Sequence, residues 1–240
     1  MWKNVTFISV LLLAAEANAE VCDAEWVQAE YRISHTTEAA EQHTEMSLWR
    51  KPQHVAHQYP QTQMTEMWQF VREEMLKPTR YFDAHQRAIE YQPNDIIHGK
   101  RETNWSYRNQ LIADKLLQRM NKISEQGSGC SKTETYQLQL AQQTLVIDWL
   151  PAYQLPKRFQ RSDSRGNRII WQQQRLNQDK AVITDFFAHR DVYQATDYAD
   201  IGDDHTDPFL TNMVSQGFIE AGASGFYDTE GNALEAEHQH

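Results

Sequence analysis

The sequence predicts a mainly β (α+β) protein: a curved antiparallel sheet, one long helix across it, and a short helical appendage at the C-terminus. Three observations carry this reading. Apolar and polar residues alternate in short runs from Val27 to Tyr91, at roughly ten-residue spacing with brief polar connections, the layout of an antiparallel meander. From Trp105 to Ile123 the period changes to that of an amphipathic helix. Alternation then returns between Tyr136 and Phe187. An apolar content of 40% with 11% aromatics excludes global disorder.

The first nineteen residues read as a secretory signal. Lys3 supplies the positive end, Val5 to Ala15 an apolar stretch too short to span a bilayer, and Ala17-Asn18-Ala19 a cleavage motif. The mature chain then starts at Glu20 and belongs in the periplasm. No second long apolar run follows to anchor it. Ala19-Glu20-Val21 before Cys22 does not suit a lipidation box, so Cys22 reads as a thiol of a soluble exported protein.

Two cysteines in an exported chain most economically form one disulfide, Cys22–Cys130. Two buried thiols and a metal site are the alternatives. Such a bond would close a loop of ~100 residues, worth about 3–5 kcal/mol in the chain-entropy view.

Val27, Ala29, Tyr31 and Ile33 alternate with Gln28, Glu30, Arg32 and Ser34, the clearest strand in the chain. Thr36 to Gln42 is a polar connection. Met46 and Leu48 share one face of the next strand, with Glu45, Ser47 and Trp49 on the other. Pro52 must lie at an edge, a bulge or a strand end, because it cannot donate to a ladder. His54 to Tyr59 and Thr65 to Val71 are strands, Glu73 to Pro78 a turn, and Arg80–Asp83 with Arg87–Gln92 a short hairpin.

The helix is placed over 104–124, ending at Gly127-Ser128-Gly129. Strands resume at Tyr136–Leu140, Leu145–Trp149, Arg158–Arg161, Ile169–Leu176 and Ala181–Phe187, with a hairpin turn at Ser162–Asn167. The β domain thus covers 20–187. Residues 188–240 form an acidic extension with a short helix over 208–216, started by Asp207 as N-cap and Pro208 at the first helical position.

Charge is unevenly spread. From Thr184 onward there are twelve acids against one base, Arg190, so this segment carries more than the whole net charge of −10. That disfavours nucleic acid and anionic membrane surfaces and suits a basic protein partner or a divalent metal.

Leu48-Trp49-Arg50-Lys51-Pro52 and the stretch Val146-Ile147-Asp148-Trp149-Leu150-Pro151 through Leu155-Pro156-Lys157-Arg158 resemble the periplasmic outer-membrane lipoprotein carrier family, the LolA/LolB type. The resemblance implies an incompletely closed half-barrel, with the helix over its concave face, that shelters an acyl chain. It also implies a lid latch at Arg50 or Lys51. In the family an arginine directly precedes the proline. Here that residue is Lys51, and lysine lacks the planar fork for several carbonyls at once. The missing lipidation box points to the soluble carrier over the anchored receptor.

An apolar guest needs a concave wall free of charge. Tyr31, Ile33, Met46, Leu48, Trp68, Phe70, Ile89, Tyr91, Leu138, Leu140 and Val146 are the candidates, and packing on the helix as ordinary core is the competing use. His54 and His57 form an H-x-x-H, but residues three apart on a strand face opposite ways, a poor ligand pair. Asp197, Asp200, Asp203, Asp204, His205 and Asp207 match no EF-hand spacing. Gly222-Ala223-Ser224-Gly225 falls one residue short of a nucleophile elbow. The residues therefore point to a non-enzymatic carrier of a lipid or lipoprotein acyl chain, with no cofactor and no stable membrane insertion. The alternative is an accessory protein binding a basic partner or a metal through its acidic segment.

Overall fold

The computed structural model describes residues 21–73, 75–93, 95–97, 100–201 and 207–209. The expected signal, most of the expected 208–216 helix, and Asp203, Asp204 and His205 lie outside them.

Six strands open the chain: β1 (Val27–Thr36), β2 (Glu41–Lys51), β3 (His54–Tyr59), β4 (Met64–Arg72), β5 (Met75–Phe82) and β6 (Arg87–Glu90). β7 (Ile96–Ile97) and β8 (Lys100–Arg101) pair with each other. Two short helices follow, α1 (Trp105–Gln110) and α2 (Asp114–Arg119). Then come β9 (Asn121–Gln126), β10 (Thr133–Gln139), β11 (Gln143–Leu150), β12 (Leu155–Asp163) and β13 (Arg168–Asn177). Helix α3 (Lys180–Asp191) and β14 (Gln194–Asp197) complete the described elements.

Twelve of these strands form one open sheet in the order β14-β6-β5-β4-β3-β2-β1-β13-β12-β11-β10-β9. Every neighbouring pair is antiparallel except β14–β6. The expected mainly β, antiparallel class therefore holds. The turns follow from local chemistry. Pro52 and Gln53 make the tight β2–β3 turn, with Gln53 at φ 61°. Asp163 Oδ1 accepts the N–H groups of Arg165 and Asn167, each at 2.9 Å, to build the β12–β13 hairpin where it was expected.

The single long helix over 104–124 is corrected to α1, α2 and β9. Leu111 ends α1 in the left-handed region at φ 64°, and Ala113 is extended. The reason is burial. Leu111, Ile112 and Ala113 are consecutive and all buried, which no single face of a continuous helix achieves. The chain breaks so that all three, with Leu116 and Met120, face the sheet. Ile123, expected on the helix's apolar face, is 56% exposed on the edge strand β9.

The expected strand over Ala181–Phe187 is also corrected: it lies within helix α3. Asp179 caps it, its Oδ1 accepting from Ala181 N at 2.9 Å and Val182 N at 3.3 Å. Ile183, Phe186, Phe187 and Arg190 are its buried residues, at helical spacing. They pack on the outer face of the sheet, where Phe186 stacks on Trp49 with ring centroids 3.9 Å apart and planes 6° apart. Likewise the expected turn at Glu73–Pro78 is mostly strand, since β5 begins at Met75. Pro78 fits because its carbonyl accepts from Tyr91 N, so its missing N–H lies on the β6 side, at the end of that ladder.

Cys22 and Cys130 are joined by a disulfide, with Cα atoms 5.5 Å apart. It ties the segment before β1 to the turn between β9 and β10. No described helix is long and apolar enough to cross a membrane.

Candidate functional site

The inner face of the sheet, the one beneath α1 and α2, carries the main apolar cluster. Period two sets its members. Val27, Ala29, Tyr31 and Ile33 of β1 lie beside Leu48 and Met46 of β2, through the pairs Ala29↔Leu48 and Tyr31↔Met46. Leu145, Ile147 and Trp149 of β11 and Leu155 and Phe159 of β12 extend it on the other side. Leu111, Ile112, Leu116 and Met120 close it from above.

Charged and polar donors hold this cover. Arg50 shares the inner face with Val27, its partner across the ladder, and is 2% exposed. Its Nη1 donates to the carbonyl of Asn109 at 2.8 Å, and its Nη2 donates to the carbonyl of Tyr153 in the β11–β12 loop. His57 Nε2 donates to the carbonyl of Arg108 at 2.8 Å. Both helix carbonyls belong to the last turn of α1, where no intrahelical donor reaches them. Burial pulls Arg50 down to about 10, which leaves it charged at neutral pH. Burial, helped by the Arg108 charge, pulls His57 down to about 4, so it is neutral and Nε2 carries its proton.

Beside this grip runs a strip of charge. Arg108 donates through Nε to Glu102 Oε2 at 2.7 Å and lies 4.1 Å from the ring centroid of Trp68. Burial opposes its charge, but Glu102, Tyr107 and Glu66 together outweigh burial and hold Arg108 above its ordinary pKa. Arg80 Nη2 meets Glu66 Oε1 at 2.6 Å. Burial would raise Glu66; the charges of Arg80 and Arg108 outweigh it, so Glu66 stays below the ordinary range. Glu66 pairs across the ladder with both His57 and Arg80. The inner wall is therefore apolar under α1–α2 and charged across β3–β5.

The candidate wall residues divide accordingly. Tyr31, Ile33, Met46, Leu48 and Trp68 are buried in the main cluster, and Phe70 and Leu138 pack at its margin. Ile89 and Tyr91 belong to a second cluster with Met64 and Phe82, covered by Tyr198, Ile201 and Phe209. Val146 is half-buried between fully buried Leu145 and Ile147, on the opposite face by strand parity. Leu140 lies past the end of β10, its N–H bonded to Gln143 O at 2.9 Å. Lys51 points to the outer face, its Nζ 4.5 Å from the Phe187 ring centroid, away from the carbonyls Arg50 holds.

His54 and His57 do lie on opposite faces: His54 is 6.2 Å from the outer-face ring of Phe187, and His57 is 4.8 Å from inner-face Trp68. Among the described residues no group of three or more His, Cys, Asp or Glu is placed to hold a metal. Asp207 Oδ1 accepts from Phe209 N at 2.8 Å.

Sequence reasoning missed Leu145, Ile147, Leu155, His57, Glu66 and Arg108 as members of this face. The signal was present for the strand residues. Once Trp68 and Phe70 are set on one face, period two puts Glu66 beside them, and the ladder then brings in His57. Nothing in the sequence placed Arg108, because its position depends on the break after α1.

No family model matches the chain, and no curated protein does. Several solved structures do. A Vibrio parahaemolyticus domain described as an outer membrane lipoprotein-sorting protein matches at TM-score 0.31 and 8% identity, over 70% of this chain and 92% of that one. MucB in complex with MucA(peri) matches at TM-score 0.35 and 9% identity, over 68% of this chain and 53% of that one. A DUF1329 family protein from Desulfovibrio piger matches at TM-score 0.34 and 8% identity, over 67% of this chain and 88% of that one. At these identities no functional residue is carried across to this chain.

Proposed function

We propose that this chain is a periplasmic binding protein that carries a lipid or lipoprotein acyl chain on the inner face of its sheet, with α1–α2 as the cover. One observation carries the reading. The cover is broken into two short helices, and its carbonyls are gripped by donors projecting from the sheet, Arg50 and His57. Such a cover can release as a unit, since a few directional bonds hold it in addition to apolar packing. Beneath it, Val27, Ala29, Tyr31, Met46, Leu48, Leu145 and Ile147 are each at most 1% exposed. An acyl chain replacing the helices would recover about 0.8 kcal/mol per buried methylene.

In this reading Arg50 is the latch. Its planar fork reaches two carbonyls on separate segments through two nitrogens, where a lysine has only one. The role is one of holding rather than catalysis, since the donors of the latch end on main-chain carbonyls.

Native mass spectrometry of the mature protein, taken from periplasm without detergent, tests it. The expected result is an added mass released as lipid or acylated peptide, lost in Leu48→Glu. A bare polypeptide mass that incubation with lipid or lipoprotein leaves unchanged would overturn the carrier. The acidic segment as a site for a basic partner would then be the better reading, recognised by a complex that salt dissociates.

A further inference from the structure

The second apolar cluster lies on the same sheet face as the main one, beyond the charged strip. Phe82 pairs with Arg87 across β5–β6, and Arg80 with Ile89, so Phe82, Arg87 and Ile89 share the inner face. Met64, opposite Phe82 on β4, joins them. Asp207-Pro208-Phe209, from late in the chain, covers this end together with Tyr198 and Ile201.

Two side chains, Asp207 and Phe209, reach the sheet. Asp207 Oδ2 accepts from Arg87 Nη2 at 2.6 Å, with only 12% and 19% of the Arg87 and Asp207 side chains exposed. The Phe209 ring sits 4.6 Å from the Arg87 guanidinium carbon, and edge-to-face against Phe82 at 5.3 Å. The His85 ring lies at 5.3 Å from it. Asp207 Oδ1 also accepts from Phe209 N at 2.8 Å, which fixes the carboxylate and the ring relative to each other. The unit is sequence-local: one carboxylate and one aromatic ring, two positions apart, on one arginine and one apolar seat.

We propose that this end of the sheet is a recognition site for acidic–aromatic peptide segments of the Asp-Xaa-Phe type, occupied in the resting chain by its own 207–209. Arg87 anchors the carboxylate, and Phe82, Met64 and Ile89 seat the ring. A partner protein presenting the same unit gains the site by displacing the internal copy. The internal copy competes at the effective concentration of a tethered segment, on the order of millimolar. It therefore lowers the apparent affinity for an outside peptide by the fraction of time it occupies the seat.

The test uses the full mature chain and a fluorescent peptide, Thr-Asp-Pro-Phe-Leu-Thr, the sequence of residues 206–211. Fluorescence anisotropy is measured on wild type and on the double variant Asp207→Asn, Phe209→Ala. The double variant should bind the peptide about tenfold or more tighter than wild type. Adding Arg87→Gln should abolish that binding, as should Asp→Asn in the peptide. Circular dichroism and thermal unfolding are read alongside. A double variant that keeps its fold and does not bind the peptide overturns the proposal. So does equal binding by wild type, because the seat would then not be occupied internally. A double variant that fails to fold also overturns it, since 207–209 would then be fixed core.

Discussion

Arg50 on β2 donates to the carbonyl of Asn109 at 2.8 Å across 59 residues of sequence, and the same guanidinium holds Tyr153 O. One side chain thus joins the sheet, the helical cover and the β11–β12 loop.

Arg50→Ala should cost about 2–4 kcal/mol, because it removes two charge-assisted bonds from a buried guanidinium. Arg50→Lys should cost less and still loosen one of the two segments. Urea unfolding gives the magnitude. Hydrogen exchange at the α1 amides should quicken in both variants before global unfolding does.

His57 makes stability pH-dependent with a fixed sign. Its pKa is about 4 in the folded chain, below an unfolded value of about 6.5, so acid favours the unfolded state. The contribution, of order 3 kcal/mol, is fully present above about pH 6.5 and is lost as pH falls through about 4. His35 and His54 are depressed by burial as well and add to the same slope. His57→Gln keeps a side-chain N–H but does not titrate. Its stability should therefore fall less steeply than wild type between pH 6.5 and 4.5 in urea titrations.

Breaking Cys22–Cys130, by reduction or by Cys22→Ser with Cys130→Ser, should lower stability by about 3–5 kcal/mol, because the bond closes a loop with a sequence separation of 108. Thermal unfolding with and without dithiothreitol measures this, and the double serine variant should show no response to the reductant.

Ile147→Ala should cost about 2–5 kcal/mol, as a fully buried residue of the main cluster. Val146→Ala, one residue earlier on the outer face, should cost less than about 1.5 kcal/mol. A Val146→Ala cost above that of Ile147→Ala in chemical denaturation would mean that β11 presents its faces the other way round.

Much of the fold was legible in period two. The β1 residues Val27 to Ile33 and the β2 pair Met46 and Leu48 are buried in the expected phase, and the cysteine pairing follows from count and compartment. Two stretches were misread for opposite reasons. Ala181–Phe187 looked like an apolar strand, although Ile183, Phe186 and Phe187 have the spacing of a helix face and Asp179 is placed to cap it. Trp105–Ile123 has helical spacing throughout, but burying Leu111, Ile112 and Ala113 together overrides it. The candidate wall was chosen for apolarity alone. That admitted Val146 from the wrong parity and passed over Glu66, whose charge is balanced by Arg80 and Arg108, and neutral His57, whose Nε2 bonds the Arg108 carbonyl, partners distant in sequence.

The place of β1 in the sheet has a bearing on how the chain acquires its structure. β2 to β6 and β9 to β13 are two runs of neighbours that can zip locally, one hairpin after another. They meet only where β1 pairs with β13, and there the side chain of Asn177 bonds to Gln28 across 149 residues. A chain emerging N-terminus first exposes one edge of its first strand until β13, the last strand but one, arrives. With β14–β6 this seam is one of two long-range strand pairings, and we expect it to be slow, since long loops must close before it rewards them. Until it closes, that free edge is open to pairing with another chain.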